Sequence, residues 1–170
     1  MELKDLPFTQ RMQIKEANLR GLYLSIACDI ERALAHVITT CEEKDPQKRE
    51  EYFWEKIVHL EFGKKVNKCK GAIKAHNSLY FEAHREHFIT IQKFLKLRNM
   101  LTHGYSDFDP AKLDDTYIVF DWFDRPKKRI QKVDFQAQMA ELGEYRRTLM
   151  DFMVLPIVLA NEAGNNTPSQ

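Results

Sequence analysis

The sequence has little that would staple, kink or loosen a chain: 170 residues include 6 glycines, 6 prolines and 3 cysteines. Cys28, Cys41 and Cys69 are odd in number, far apart and without a Cys-x-x-Cys pair, which argues against a disulfide framework and a zinc site. They read as reduced thiols. There is no Gly-rich phosphate loop and no Gly-x-Ser-x-Gly, so nucleotide hydrolysis by those routes is excluded. No apolar run is long enough to cross a bilayer; Met153 to Ala160 falls far short of the ~20 residues required, and Asp151 stands just before it. The stretch from Met1 to Phe8 mixes charges with apolar residues and lacks the apolar segment of a signal peptide, so a cytoplasmic protein with no membrane partner is expected. A dominant charge is lacking too. With 26 Lys and Arg against 25 Asp and Glu the formal net charge is +1, so any RNA contact must be local.

What is present is helical. Hydrophobic residues make up 44% and charged ones 30%, a balance suited to a globular helical domain of a size that buries a real core. Leu19, Leu22, Tyr23, Ile26, Ile30, Ala33, Leu34, Val37 and Cys41 recur at helical spacing, predicting a helix from about residue 10 to 41 with Thr9 as N-cap. A second helix starts near Pro46, carries Tyr52, Phe53, Ile57 and Leu60, and is closed by Gly63. A short basic helix follows. Val66, Cys69 and Ile73 form its apolar stripe, while Lys64, Lys65, Lys68, Lys70 and Lys74 read as a solvated face. Asn77-Ser78 breaks it, and Ser78 caps a fourth helix that runs to Thr102 or His103, with Gly104 at the position just past its end.

After Gly104 the period changes. Tyr105 to Asp115, with Pro110, reads as a loop; Thr116 to Phe123 and Arg129 to Val133 read as the strands of a β-hairpin (about 116–133) turning through Pro126. Its aromatics Tyr117, Trp122 and Phe123 suit hairpin packing better than base stacking. Asp134 caps a last helix bearing Met139, Leu142, Leu149, Phe152 and Met153, which Leu155-Pro156 bends or ends. The expected fold is mainly α: about five helices in an antiparallel bundle with a small β-hairpin before the last, one domain over 1–163 and a disordered tail over 164–170.

The chemistry gathers at Arg98-Asn99-Met100-Leu101-Thr102-His103. At about 100° per residue, with Arg98 at zero, Thr102, Asn99 and His103 fall at about 40°, 100° and 140° on one arc. Phe94, Leu97, Met100 and Leu101 take the opposite, core-facing arc. One turn and more upstream, Phe88, Ile91 and Leu95 lie below the polar quartet, so the helix is apolar on two sides. Such a helix is either central in its own domain or shared between subunits. The preferred expectation is a homodimer whose seam is Phe88, Ile91 and Leu95.

Arg98-Asn99, followed after three further positions by His103, on a late helix of a small all-helical chain, resembles the Arg-x4-6-His motif of HEPN domains. The resemblance implies a HEPN-like helical bundle, homodimerisation that brings two motifs into one cleft, and metal-independent cleavage of RNA. It makes Arg98, Asn99 and His103 the catalytic candidates and leaves Asp29 or Glu31 as the acidic residue some members carry on the first helix. It also implies a toxin, defence or stress role, with an antitoxin as a further partner. Inactive members of the family leave open a non-catalytic dimeric module that binds protein, nucleotide or RNA.

The residue types suit that chemistry. A His titrating near pH 6.5 exchanges protons at cellular pH, and an Arg fork holds phosphoryl oxygens as negative charge builds. Asn99 could orient His103 or bind the phosphate, and Thr102 is a weaker candidate. A basic side chain at a helix C-terminus is also favoured simply by the dipole. No cofactor or metal is expected, because His84 and His87 have no acidic or Cys partner at ligand-set spacing and read as surface histidines.

Overall fold

The first helix owes its length to apolar residues recurring every three or four positions, and in the computed structural model α1 spans Phe8–Glu42. Leu19, Tyr23, Ile26, Ile30, Leu34 and Val37 are all buried along it, as is Met12, which the spacing argument left out. Thr9 lies inside its first turn and is not the cap. The chain enters through Pro7, whose carbonyl accepts from Arg11 N–H at 3.0 Å, and a fixed φ ahead of the first turn starts the helix early. The structure describes residues 2–107, 117–124 and 127–165. The loop residue Pro110, the strand start at Thr116, the turn residue Pro126 and the tail beyond Asn165 lie outside the described residues.

Asp45 accepts from Gln47 N–H at 3.0 Å and opens a single 3₁₀ turn, Pro46–Lys48. Then come α2, Arg49–Tyr52, and a wide π-turn over Phe53–Ile57, closed by Val58 N–H donating to Phe53 O at 2.9 Å. Gly63 does not close this segment; it sits in the first turn of α3, Phe62–His76. Lys65 departs from the solvated face expected of it. It is buried, and its Nζ donates to Glu31 Oε1 at 2.8 Å and Val58 O at 2.9 Å, so its charge is paired and two of its three protons are used. Asn77, not Ser78, caps α4 (Ser78–His103), its Oδ1 accepting from Tyr80 N–H at 2.9 Å.

Tyr105 begins a strand, not the expected loop. β1, Tyr105–Asp107, pairs antiparallel with β2, Tyr117–Asp124, and β2 pairs antiparallel with β3, Lys127–Asp134, in the order β1-β2-β3. Three residues are too few to show a strand's alternation, and β1 exists only through its distant partner. Asp134 Oδ1 accepts from Ala137 N–H at 2.9 Å and caps α5, Phe135–Asn165. Pro156 does not end α5, and Gly164 still lies within it. A proline removes one helical donor at a cost of about 3 kcal/mol, and the buried Leu149, Phe152 and Leu155 just before it favour continuing the helix.

The protein is mainly helical, and no helix among the described residues is long and apolar enough to cross a membrane. Its contacts group into two units, Met1–Ala27 with Phe94–Glu144 and Cys28–Lys93 with Tyr145–Gln170. In the first, Tyr23 stacks on Phe94 with ring centres 5.4 Å apart, and its hydroxyl donates to Gln138 Oε1 at 2.8 Å. In the second, Ile30, Leu34, Val37, Ile38, Val66 and Ile73 are buried with Cys41 and Cys69. No cysteine is bridged. Burial pushes the Cys41 thiol up to about 11 and raises that of Cys69 further, whereas Cys28 is exposed.

The face assigned to a dimer seam is interior. Phe88 and Ile91 are 3% and 1% exposed within the single chain, and Phe88 meets Phe152 edge-on at 5.3 Å; Leu95 is half-buried. The helix is apolar on two sides because it packs on two sides within its own chain. Ile91→Ala should therefore lower the unfolding free energy by about 2–5 kcal/mol. The denaturation midpoints of the variant and of the unsubstituted chain should depend on protein concentration to the same degree; a dependence present in the unsubstituted chain and lost in Ile91→Ala would return Ile91 to a subunit contact.

Candidate active site

Helix α4 stops at His103, and Gly104 N–H donates to Met100 O at 2.7 Å, closing the last turn. Phe94, Met100 and Leu101 are buried and fix the rotation of this end. The opposite arc is left to Arg98 and Asn99, half-buried, and to Thr102 and His103, exposed. All four candidates thus share one arc, as their spacing requires.

Their bonding differs from the expectation in one respect. Arg98 Nη1 donates to Asn99 Oδ1 at 3.0 Å, so the amide steadies the guanidinium and its oxygen is not turned to His103. Arg98 Nε is buried with no hydrogen-bond partner among the described residues. A buried charged donor left open is costly, and a water, an ion or another acceptor that reached it would relieve that cost. His103 has no hydrogen bond or ion pair among the described residues. The Thr102 hydroxyl donates to Arg98 O at 2.8 Å, a bond within the helix that leaves it little to offer a ligand. Of the two acids considered for support, Glu31 is engaged by Lys65, and both it and the exposed Asp29 belong to the other unit.

The residue that the sequence did not disclose is Arg20. From α1 its Nη1 donates to Leu101 O and its Nη2 to Gly104 O at 2.8 Å. Glu16 Oε1 accepts from Arg20 Nε at 2.7 Å and lies 2.7 Å from its Nη2. The last carbonyls of a helix lack partners within it and carry the negative end of the dipole. Arg20 supplies both the donors and the compensating charge. Without it, an anion approaching Arg98 and His103 would face the unneutralised helix end. Glu16 and Arg20 do stand at i,i+4, the one mark visible in sequence, but that spacing announces an ordinary surface pair.

No protein-family model, characterised protein or solved structure matches this chain.

Among the described residues, no three His, Cys, Asp or Glu side chains come together to hold a metal ion. Among the described residues, the side chains at the end of α4 offer two things: a planar cation with an unsatisfied donor, and an exposed imidazole that no side chain engages. Removing the clamp tests how far they depend on it. Arg20→Met keeps the apolar stem and deletes the donors; it should cost about 1–3 kcal/mol of stability. Amide hydrogen exchange should quicken at His103 and Gly104 ahead of the rest of α4. Unchanged exchange there would remove Arg20 as the support of the site.

Proposed function

We propose that the chain is a metal-independent endoribonuclease of HEPN type, a cytoplasmic toxin, defence or stress effector restrained by an antitoxin protein. Arg98 holds the phosphoryl oxygens of the scissile phosphate, Asn99 steadies Arg98, and His103 moves the protons. The 2′-hydroxyl attacks the adjacent phosphorus, its proton passes to an imidazole, and the 5′-oxygen leaves with a proton from an imidazolium. The observation that carries this is the buried Nε of Arg98 on the same helix arc as the exposed His103, both side-chain groups being without a partner among the described residues. A guanidinium in that state gains most when charge grows on the phosphoryl oxygens, which is where binding accelerates a reaction.

A single His must serve both ends of the reaction in turn, so a two-fold homodimer presenting two copies of His103 to one RNA belongs to the proposal. Phe88 and Ile91 are not available to join the copies; of the three residues first assigned to the seam, only the half-buried Leu95 retains exposed surface. That same burial favours a second reading, a non-catalytic HEPN-like module that binds a protein, nucleotide or RNA partner, because it removes the face that was to bring the two sites together.

Cleavage of RNA should leave a 2′,3′-cyclic phosphate or its hydrolysis product, persist in a chelator and spare DNA. His103→Ala should abolish it with the fold intact by circular dichroism. Arg98→Ala should lower both RNA binding and turnover, and Arg98→Lys should restore neither fully, since the planar fork is lost. Chelator-sensitive cleavage or full activity in His103→Ala would overturn this mechanism. Tight RNA binding without cleavage would favour the binding module.

A further inference from the structure

The unit formed by Cys28–Lys93 and Tyr145–Gln170 contains a cavity of about 910 Å³, within the size range of small-molecule sites. None of Arg98, Asn99 or His103 lines it. Its wall is made by α1, the Pro46 turn, Arg49 and Glu50 of α2, the π-turn, Val58, and Lys65 of α3. π-Turns are wide, rare and often found at functional positions. Here the wide turn carries Phe53 and Trp54 into the lining. His36 of α1 stacks on Phe53 with ring centres 4.8 Å apart and planes 21° from parallel, and Trp54 meets Phe53 edge-on at 5.2 Å. Trp54 is 57% exposed, an unusual state for so large an apolar ring. Partial burial and the positive charge of Arg32 hold the His36 imidazole below its ordinary value, so near neutral pH its ring is uncharged.

The charges beside these rings do not cancel. Lys65 and Glu31 satisfy each other at 2.8 Å. Arg32 is exposed and makes no hydrogen bond or ion pair among the described residues. Arg49 is anchored through Nε to Glu43 O at 3.1 Å, and its terminal nitrogens donate to nothing among the described residues. Against these two guanidinium groups the lining sets one further carboxylate, Glu50. The cavity therefore combines an aromatic wall with an excess of open arginine.

We propose that this cavity binds a planar aromatic ring carrying a phosphate, a ligand of mononucleotide size, with the ring stacked on the exposed Trp54 and the phosphate between Arg32 and Arg49. Stacking on an aromatic wall tolerates any base, while the arginine forks select for the phosphate. The site does not depend on whether RNA is cleaved at Arg98 and His103, and it is tested without reference to cleavage.

The full chain is titrated with AMP, GMP, CMP and UMP, following tryptophan fluorescence and binding heat, with the nucleosides and inorganic phosphate as separate arms. At least one monophosphate should bind and quench fluorescence; its nucleoside should bind about tenfold more weakly, and inorganic phosphate alone more weakly still. Arg32→Ala, at an exposed position, should weaken the monophosphate about tenfold and leave the nucleoside unchanged. Trp54→Ala should weaken both and abolish the quench. Absence of binding by all the monophosphates at millimolar concentration overturns the proposal. So does binding that survives Trp54→Ala and Arg32→Ala undiminished. Inorganic phosphate binding as tightly as the nucleotide would reduce the cavity to an anion site and overturn the aromatic half.

Discussion

The guanidinium of Arg20 against the carbonyls of Leu101 and Gly104 is the constraint on which the candidate site depends. A helix that ends in solvent frays, and its last carbonyls repel anions. By donating to Leu101 O in the last turn and to Gly104 O just past it, while Glu16 holds it from behind, Arg20 makes the end of α4 both rigid and electrically tolerable to a phosphate. Neighbouring contacts in the same unit act in the same sense. Tyr23 stacks on Phe94 one turn before Arg98, and β1 begins at the residue after Gly104, so the chain is held on both sides of the polar arc.

Much of the helical framework could be read from the sequence because its signals are local and repeated. The stripe of α1 runs for many turns, and a single misplaced cap at Thr9 does not alter it. Asp134 was recognisable as a cap because an acidic side chain ahead of an apolar-periodic run has few other roles. What escaped were features decided by distant partners. β1 is a strand only because β2 lies alongside it. Lys65, among five lysines on one short helix, is interior because Glu31 and Val58 O receive it. Pro156 fails to stop α5 because burial upstream outweighs a missing donor. Phe88 and Ile91 form a second apolar stripe that the helical period shows, but periodicity cannot say whether a stripe meets its own chain or another.

The candidate site divides in the same way. Arg98, Asn99 and His103 were identifiable as residue types at a spacing, and the helix carries them on one arc as that spacing demands. Their bonds were not identifiable. Asn99 and His103 stand at i,i+4 and looked like partners, yet the long Arg98 side chain reaches Asn99 instead. Arg20 acts across 81 and 84 residues of chain, a distance at which a single sequence holds no pairing signal.

The three cysteines differ in a way that governs how the protein meets electrophiles and oxidants. Only a thiolate attacks, and Cys41 and Cys69, buried with raised thiol pKa values, remain protonated through the neutral range. Cys28 is exposed and lines the cavity beside Glu31 and Arg32. Toward alkylating reagents the chain therefore behaves as though it had one cysteine. A reporter attached through that sulfur would stand in the lining of the aromatic cavity without any residue having been changed.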